Sequence, residues 1–302
     1  MLIFWTYLIA CIAAMACALA GVLLVVKREA FVSEGISHAV LPGIILAFLV
    51  FRDRTSPLLI VSAALAGLIM VWLVKWLAQT GKVKQDAALG IVFSGMFSVG
   101  VIASSLNLKN VHFHAHCIID GNLTFAPLEP FEIFGFYLGP KAFVSMLACL
   151  LILVTFIIVF FKELKLLAFD ETAMHLLGYN PKWLSTAWLV LVSMIIVAAF
   201  EVAGTVLVVA LMIAPPAAAS FLSGRLSSMF FVSGLLGIAS AIAGVWTSLQ
   251  LEISPTGPIA SISGVVFLLV AIFAPKRGLV SRWLIRAKQR KRWLQMLEVD
   301  AR

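Results

Sequence analysis

Glu34 and His38 stand four residues apart in an otherwise apolar stretch, within Lys27–Gly43, KREAFVSEGISHAVLPG. On a helix that spacing puts both side chains on one face, one turn apart. A charge at the centre of a bilayer costs at least about 2.5–3.5 kcal/mol, so such residues usually face a bundle interior or a water-filled path and mark a functional site. Pro42 adds to the pair. It has no N–H and clashes with the carbonyl four residues back, that of His38. A carboxylate, an imidazole and a freed carbonyl on one stretch of helix suit a divalent cation of the manganese, iron or zinc type better than a soft thiophilic one. The alternative is that Glu34 and His38 only pair with each other, or sit near the membrane surface as structural polar contacts.

The elements that must position this pair follow from composition. Of 302 residues, 63% are hydrophobic and 12% charged, against about 45–50% and about 25% in soluble domains. That excludes an ordinary soluble protein and implies a polytopic, all-α membrane bundle. Leu2 to Val26 is the first apolar run. No basic residue precedes it and Lys27 and Arg28 follow it, so it reads as a span rather than a cleaved signal. Further spans are expected at about Phe31–Phe51, Pro57–Leu77, Ala87–Leu106 and Ala142–Phe161. Trp183–Leu222 reads as two spans joined by a tight turn at Glu201, and Met229–Leu249 and Ile259–Ala274 complete about nine. Residues 1–275 thus form the transmembrane domain, and 276–302 a basic tail.

The positive-inside rule orients the spans. An outside N-terminus and an inside C-terminus leave only Arg52, Arg54, Lys109 and Lys141 outside, among 22 basic residues. The net charge of +8 therefore reports topology rather than nucleic-acid binding. Trp283 and Trp293 among the tail's arginines read as an anchor on anionic lipid. Cys11, Cys17, Cys117 and Cys149 have no paired spacing, so neither a disulfide framework nor a zinc knuckle is indicated.

Three further constellations carry weaker signals. His112, His114 and His116 alternate, so an extended chain would put them on one face like metal ligands; a wet loop rich in histidine is the plainer reading. Pro215-Pro216 deprives the carbonyls of Leu211 and Met212 of their helical partners. That suits either a transport pathway or a plain packing kink. Between spans five and six, Asp170 is a good N-cap, Glu171 suits the positive end of the helix dipole, and Gly178 is a natural left-handed terminator before Asn180-Pro181. A helix Glu171–Leu177 is expected, with Ala173, Leu176 and Leu177 as its apolar stripe. It is too short to be stable alone, so it must pack on the protein's own inner surface, on lipid headgroups or on a partner.

Enzyme motifs are missing. There is no G-x-x-x-x-G-K-[ST], nucleophile elbow, His-Glu-x-x-His or dinucleotide fingerprint. The chain should therefore be no enzyme and hold no tightly bound cofactor.

Several stretches together resemble the membrane permease subunit of the metal-cation ABC importers for manganese, zinc and iron. They are SEGISHAVLPG (Ser33–Gly43), QDAALGIVFSGMFSVG (Gln85–Gly100), FKELKLLAFDETAMHLLG (Phe161–Gly178), GTVLVVALMIAPPAAA (Gly204–Ala219) and ISPTGP (Ile253–Pro258). CIIDGNLTFAPLEPF (Cys117–Phe131) is similar to the manganese and iron branch. The resemblance implies that Glu34 and His38 are metal ligands or gate residues; the family pattern has Asp where Glu34 stands. It implies a bacterial inner-membrane permease carrying a divalent metal, and a dimer with a second copy or a related permease around a central path. An ABC ATPase subunit would bind inside and a metal-binding protein outside. Phe169, Asp170, Glu171, Ala173, Leu176, Leu177 and Gly178 would then be the segment that couples to the ATPase. A self-sufficient secondary transporter or channel, with Glu34 and His38 as a proton or cation relay, is the competing class. A membrane scaffold that transports nothing is a third.

Overall fold

The computed structural model describes residues 2–51, 58–81, 83–107, 123–128, 130–133, 136–275, 278, 280 and 281. Among these, nine helical segments are long and apolar enough to cross a membrane. Helix α1 (Leu2–Val26) is apolar nearly all round and buried over most of the length from Ile9 to Leu24, with only Cys11, Ile12 and Met15 half-buried, as expected of a helix at the centre of a bundle. Its alanines and Gly21 keep it thin, so neighbouring backbones can approach closely. The helices α2 (Phe31–Phe51), α3 (Leu58–Gln79) and α4 (Gln85–Asn107) form one side of the bundle.

After α4 come a single 3-10 turn at Ala126–Leu128 and a short antiparallel ribbon of β1 (Pro130–Ile133) and β2 (Phe136–Pro140). Glu132 pairs with Tyr137 and Ile133 with Phe136, with a bulge before Glu132. The ribbon's second strand is tied down at Gly139, where an added Cβ would lie 3.0 Å from the Trp5 ring. The same ring meets Phe143 edge-on at 5.2 Å.

Helix α5 (Lys141–Val159) leads through α6 (Phe161–Phe169) and α7 (Glu171–Leu176) into α8, a hydrogen-bonded run of 42 residues, Pro181–Leu222. Two residues show that α8 folds back on itself. Trp188 in its first half packs on Phe230, with 6.4 Å between rings. Met212 in its second half lies against Gly21, one turn from Ala18, whose carbonyl accepts from Ser233 Oγ at 3.0 Å. Phe230 and Ser233 are under one turn apart, so both halves reach the same depth. A straight helix would separate Trp188 and Met212 by about 36 Å. The break is at Gly204, with φ 73° and ψ 166°, a conformation open to glycine and costly for other residues. The two expected spans are present, but the reversal sits three residues beyond Glu201, where the backbone can make it. Helices α9 (Leu226–Leu251) and α10 (Thr256–Phe273) complete the bundle.

Candidate functional site

Helix α2 is held from two sides. Towards α3 it presents Gly43, where an added methyl would lie 2.7 Å from Ala66 Cβ and 2.8 Å from the Ser62 carbonyl oxygen. Ser62 Oγ donates to the Gly43 carbonyl at 3.1 Å, tying the two backbones together. Gly35, two turns earlier, makes room for Met70 Cε and for Leu89 of α4. This close packing fixes the rotation of α2 and so decides where Glu34 and His38 point.

Both residues are half-buried and share the stripe headed by the exposed Phe31. The His38 imidazole lies against α4. It stacks on Phe93, with ring centroids 5.3 Å apart and planes 21° off parallel, and meets Phe97 edge-on at 5.5 Å. The flanking serines do not bond to the pair. Ser33 Oγ donates to the Ala30 carbonyl and Ser37 Oγ to that of Ser33, each satisfied within its own helix. Pro42 is buried in α2. Among the described residues, no third His, Cys, Asp or Glu joins the pair to make a metal-holding cluster.

Sequence reading missed Phe93 and Phe97. Their spacing of four on a predicted helix was a usable signal, but which helix they would face was not legible. His112, His114 and His116 lie outside the described residues, as does nearly all of the tail 276–302.

The double proline closes a second contact. Pro216 leaves the Met212 carbonyl without its helical N–H, and Gly21 of α1 comes up against that carbonyl. An added Cβ at Gly21 would fall on the oxygen, so the Cα–H it replaces points there, the geometry of a weak C–H···O bond. Leu211 and Met212 are each 1% exposed. The freed carbonyl of Met212 is thus taken up by packing inside the bundle.

The connection after α5 forms much as its residues dictate. The Asp170 side chain accepts from Ala173 N–H at 2.8 Å. At the other end Gly178, at φ 81°, lets Tyr179 N–H reach the Met174 carbonyl (3.1 Å) and its own N–H reach that of His175 (3.0 Å). This double bond pattern is the Schellman ending. The helix stops at Leu176, one residue earlier than expected. Its expected apolar stripe divides. Ala173 is half-buried, while Leu176 is 85% and Leu177 63% exposed. The residue that fastens α7 to the bundle is Met174, only 2% exposed, which the sequence reading passed over. Phe169 is exposed too, at 64%.

The comparisons with known proteins agree with this architecture. The profile of the ABC 3 transport family matches residues 1–274. The chain belongs to that family. It is 40% identical over 278 residues to the "Zinc transport system membrane protein TroD" of Treponema pallidum, covering 92% of this chain and 76% of that protein. It is 35% identical over 280 residues to the "Manganese transport system membrane protein MntD" of Bacillus subtilis, covering 93% of this chain and 95% of that one. Among solved structures, "PsaBC from Streptococcus pneumoniae in complex with Fab" matches with a TM-score of 0.77 at 23% identity, over 93% of this chain and 94% of that chain. This last likeness speaks for the fold.

Proposed function

We propose that the chain is the membrane permease subunit of an ATP-driven importer of divalent transition-metal cations, manganese, iron or zinc. Glu34 and His38 line its translocation path. The observation that carries this reading is the pair itself. Two good metal donors lie half-buried in a membrane helix of this family, and no third protein ligand completes a tight site among the described residues. A transit site must bind strongly enough for the ion to enter and weakly enough for it to leave. Two donors from one chain satisfy the second condition, and a second permease copy bringing its own pair would raise the donor number to four. The transported metal is cargo, and relatives named for zinc and for manganese support its class.

In the same reading an ABC ATPase subunit supplies the energy and meets Phe169, Leu176 and Leu177, the apolar groups that α6 and α7 leave exposed. A metal-binding protein delivers cargo on the opposite face, with the N-terminus outside and the C-terminus in the cytoplasm. The test is the metal content of cells lacking the gene, measured element by element and then restored with variants. Loss of manganese, iron or zinc is expected, regained with Glu34→Asp but with neither Glu34→Ala nor His38→Ala. Unchanged content of all three metals, or full restoration by both alanine variants, overturns the proposal.

A further inference from the structure

At the α7 end of the bundle lies a cavity of about 410 Å³ that the transport reading leaves unused. Five chain segments converge on it. Lys27 comes from the turn after α1, Lys75 from the end of α3, Lys182 from the start of α8 and His175 from α7; among the described residues Glu29 is the one acidic residue in its wall. Counting histidine as neutral, three positive charges and one negative lie in the wall among the described residues; Lys27 and Lys75 also have partners of their own. Two helices also begin at its wall, α4 at Gln85 and α8 at Pro181, and helix N-termini carry partial positive charge. The side-chain amides of Gln79 and Gln85 add neutral hydrogen-bonding groups.

This charge pattern disfavours a divalent cation and favours an anion. Glu29, Lys75 and Gln85 also line a small neighbouring chamber of about 10 Å³ between Met70, Val71 and Leu89, which is room for about one water. The charge pattern, the volume and the position at the rim of an apolar bundle all suit an anion that stays at the mouth. Basic pockets between membrane helices on the cytoplasmic side commonly hold phosphate head groups, and lysine binds phosphate as a point charge.

We propose that this cavity binds a phosphate-bearing anion that links α7, through His175, to the ends of α3 and α8. The ligand is either the head group of an anionic phospholipid or a soluble phosphate; the recognition chemistry is the same. Occupancy would hold α7 against the bundle from the side opposite its exposed leucines. The inference is independent of the metal reading and survives that reading's failure.

The test uses the full chain in phosphatidylcholine nanodiscs. Phosphatidylglycerol is added to the bilayer in one arm and inorganic pyrophosphate to the buffer in the other. Acylation of each lysine by an amine-reactive reagent is mapped by mass spectrometry, with exposed Lys165, outside the cavity, as the internal reference. Slower labelling of Lys75 and Lys182, with Lys165 unchanged, is expected in at least one arm. Protection by phosphatidylglycerol alone assigns the lipid, and protection by pyrophosphate alone assigns the soluble ligand. Lys182→Gln should weaken the protection of Lys75 about fivefold, and Lys182→Arg should preserve it. No protection in either arm, equal protection of Lys165, or unchanged protection in Lys182→Gln overturns the proposal.

Discussion

Replacing Gly21 by alanine tests the central contact of the bundle. The added methyl falls on the Met212 carbonyl oxygen. Its carbon would also lie 2.8 Å from the Met212 carbonyl carbon and 3.0 Å from Pro216 Cγ, where relaxed carbon contacts are about 3.5–4.0 Å. None of these atoms can swing away, because two belong to backbone and the third to a proline ring. The two helices must therefore part, at an overpacking cost of about 1–3 kcal/mol. Alanine also gains about 1 kcal/mol of helix propensity over glycine, which hides part of the loss. Gly264→Ala supplies the correction: it lies in apolar α10 with nothing within 4 Å of an added Cβ, so it receives the propensity gain alone. The difference between the two variants should be about 1–3 kcal/mol, or about 5- to 150-fold in the unfolding equilibrium. It is read by denaturant titration of the purified protein in mixed micelles. Adding Pro216→Ala removes the Cγ contact but leaves the carbonyl in place, so it should recover only part of the loss. Equal stability of Gly21→Ala and Gly264→Ala would refute the packing argument.

Four other outcomes are expected. Phe93→Ala removes the stacked partner of His38, a contact worth about 0.5–1.5 kcal/mol, and should slow uptake at limiting metal about two- to tenfold without lowering the amount of folded protein. Gly178→Val forces a β-branched residue to φ 81° at about 1–2 kcal/mol, and should uncouple ATP hydrolysis from uptake in the reconstituted complex; Gly224→Ala, in open space without a positive φ, should not. Leu176→Glu should leave thermal stability unchanged and release the ATPase on co-purification, whereas Met174→Ala, at a 2% exposed site, should cost about 2–5 kcal/mol if the surroundings cannot collapse. A cysteine at Lys84 should resist an impermeant reagent applied outside intact cells, and ready labelling there reverses the proposed orientation.

What was legible in the sequence was whatever depends on neighbours along the chain. Apolar run length gave the spans, because a bilayer demands about 20 such residues whatever surrounds them. The Asp170 cap and the Gly178 ending were legible for the same reason: each acts on amides or carbonyls within five residues. The four-residue spacing of Glu34 and His38 fixed their common face. What escaped was set by contacts between distant segments. Met174 rather than Leu176 fastens α7, because the burial of a six-residue helix depends on how α6 and α8 present the bundle to it. The reversal of α8 settled on Gly204 rather than Glu201 because reversing the backbone requires a conformation, not a charge.

The prolines show both sides of this division. Chain chemistry alone says that Pro216 frees the Met212 carbonyl, and that a buried carbonyl in a membrane protein needs a partner. Nothing in the neighbouring sequence says that Gly21, almost 200 residues earlier, will provide it. Once the contact is known, two separate features become one. The absent side chain on α1 and the absent N–H on α8 meet at the same point, so a change to either is felt by both helices. Helix α1 in turn receives the Ser233 hydroxyl at Ala18, one turn from Gly21, so α8 and α9 are registered on adjacent turns of the same central helix. A shift of α8 at the proline pair would therefore be passed directly to α1, and α2 and α3, which also pack on α8 where Gly67 meets Ser193, would feel it from the other side.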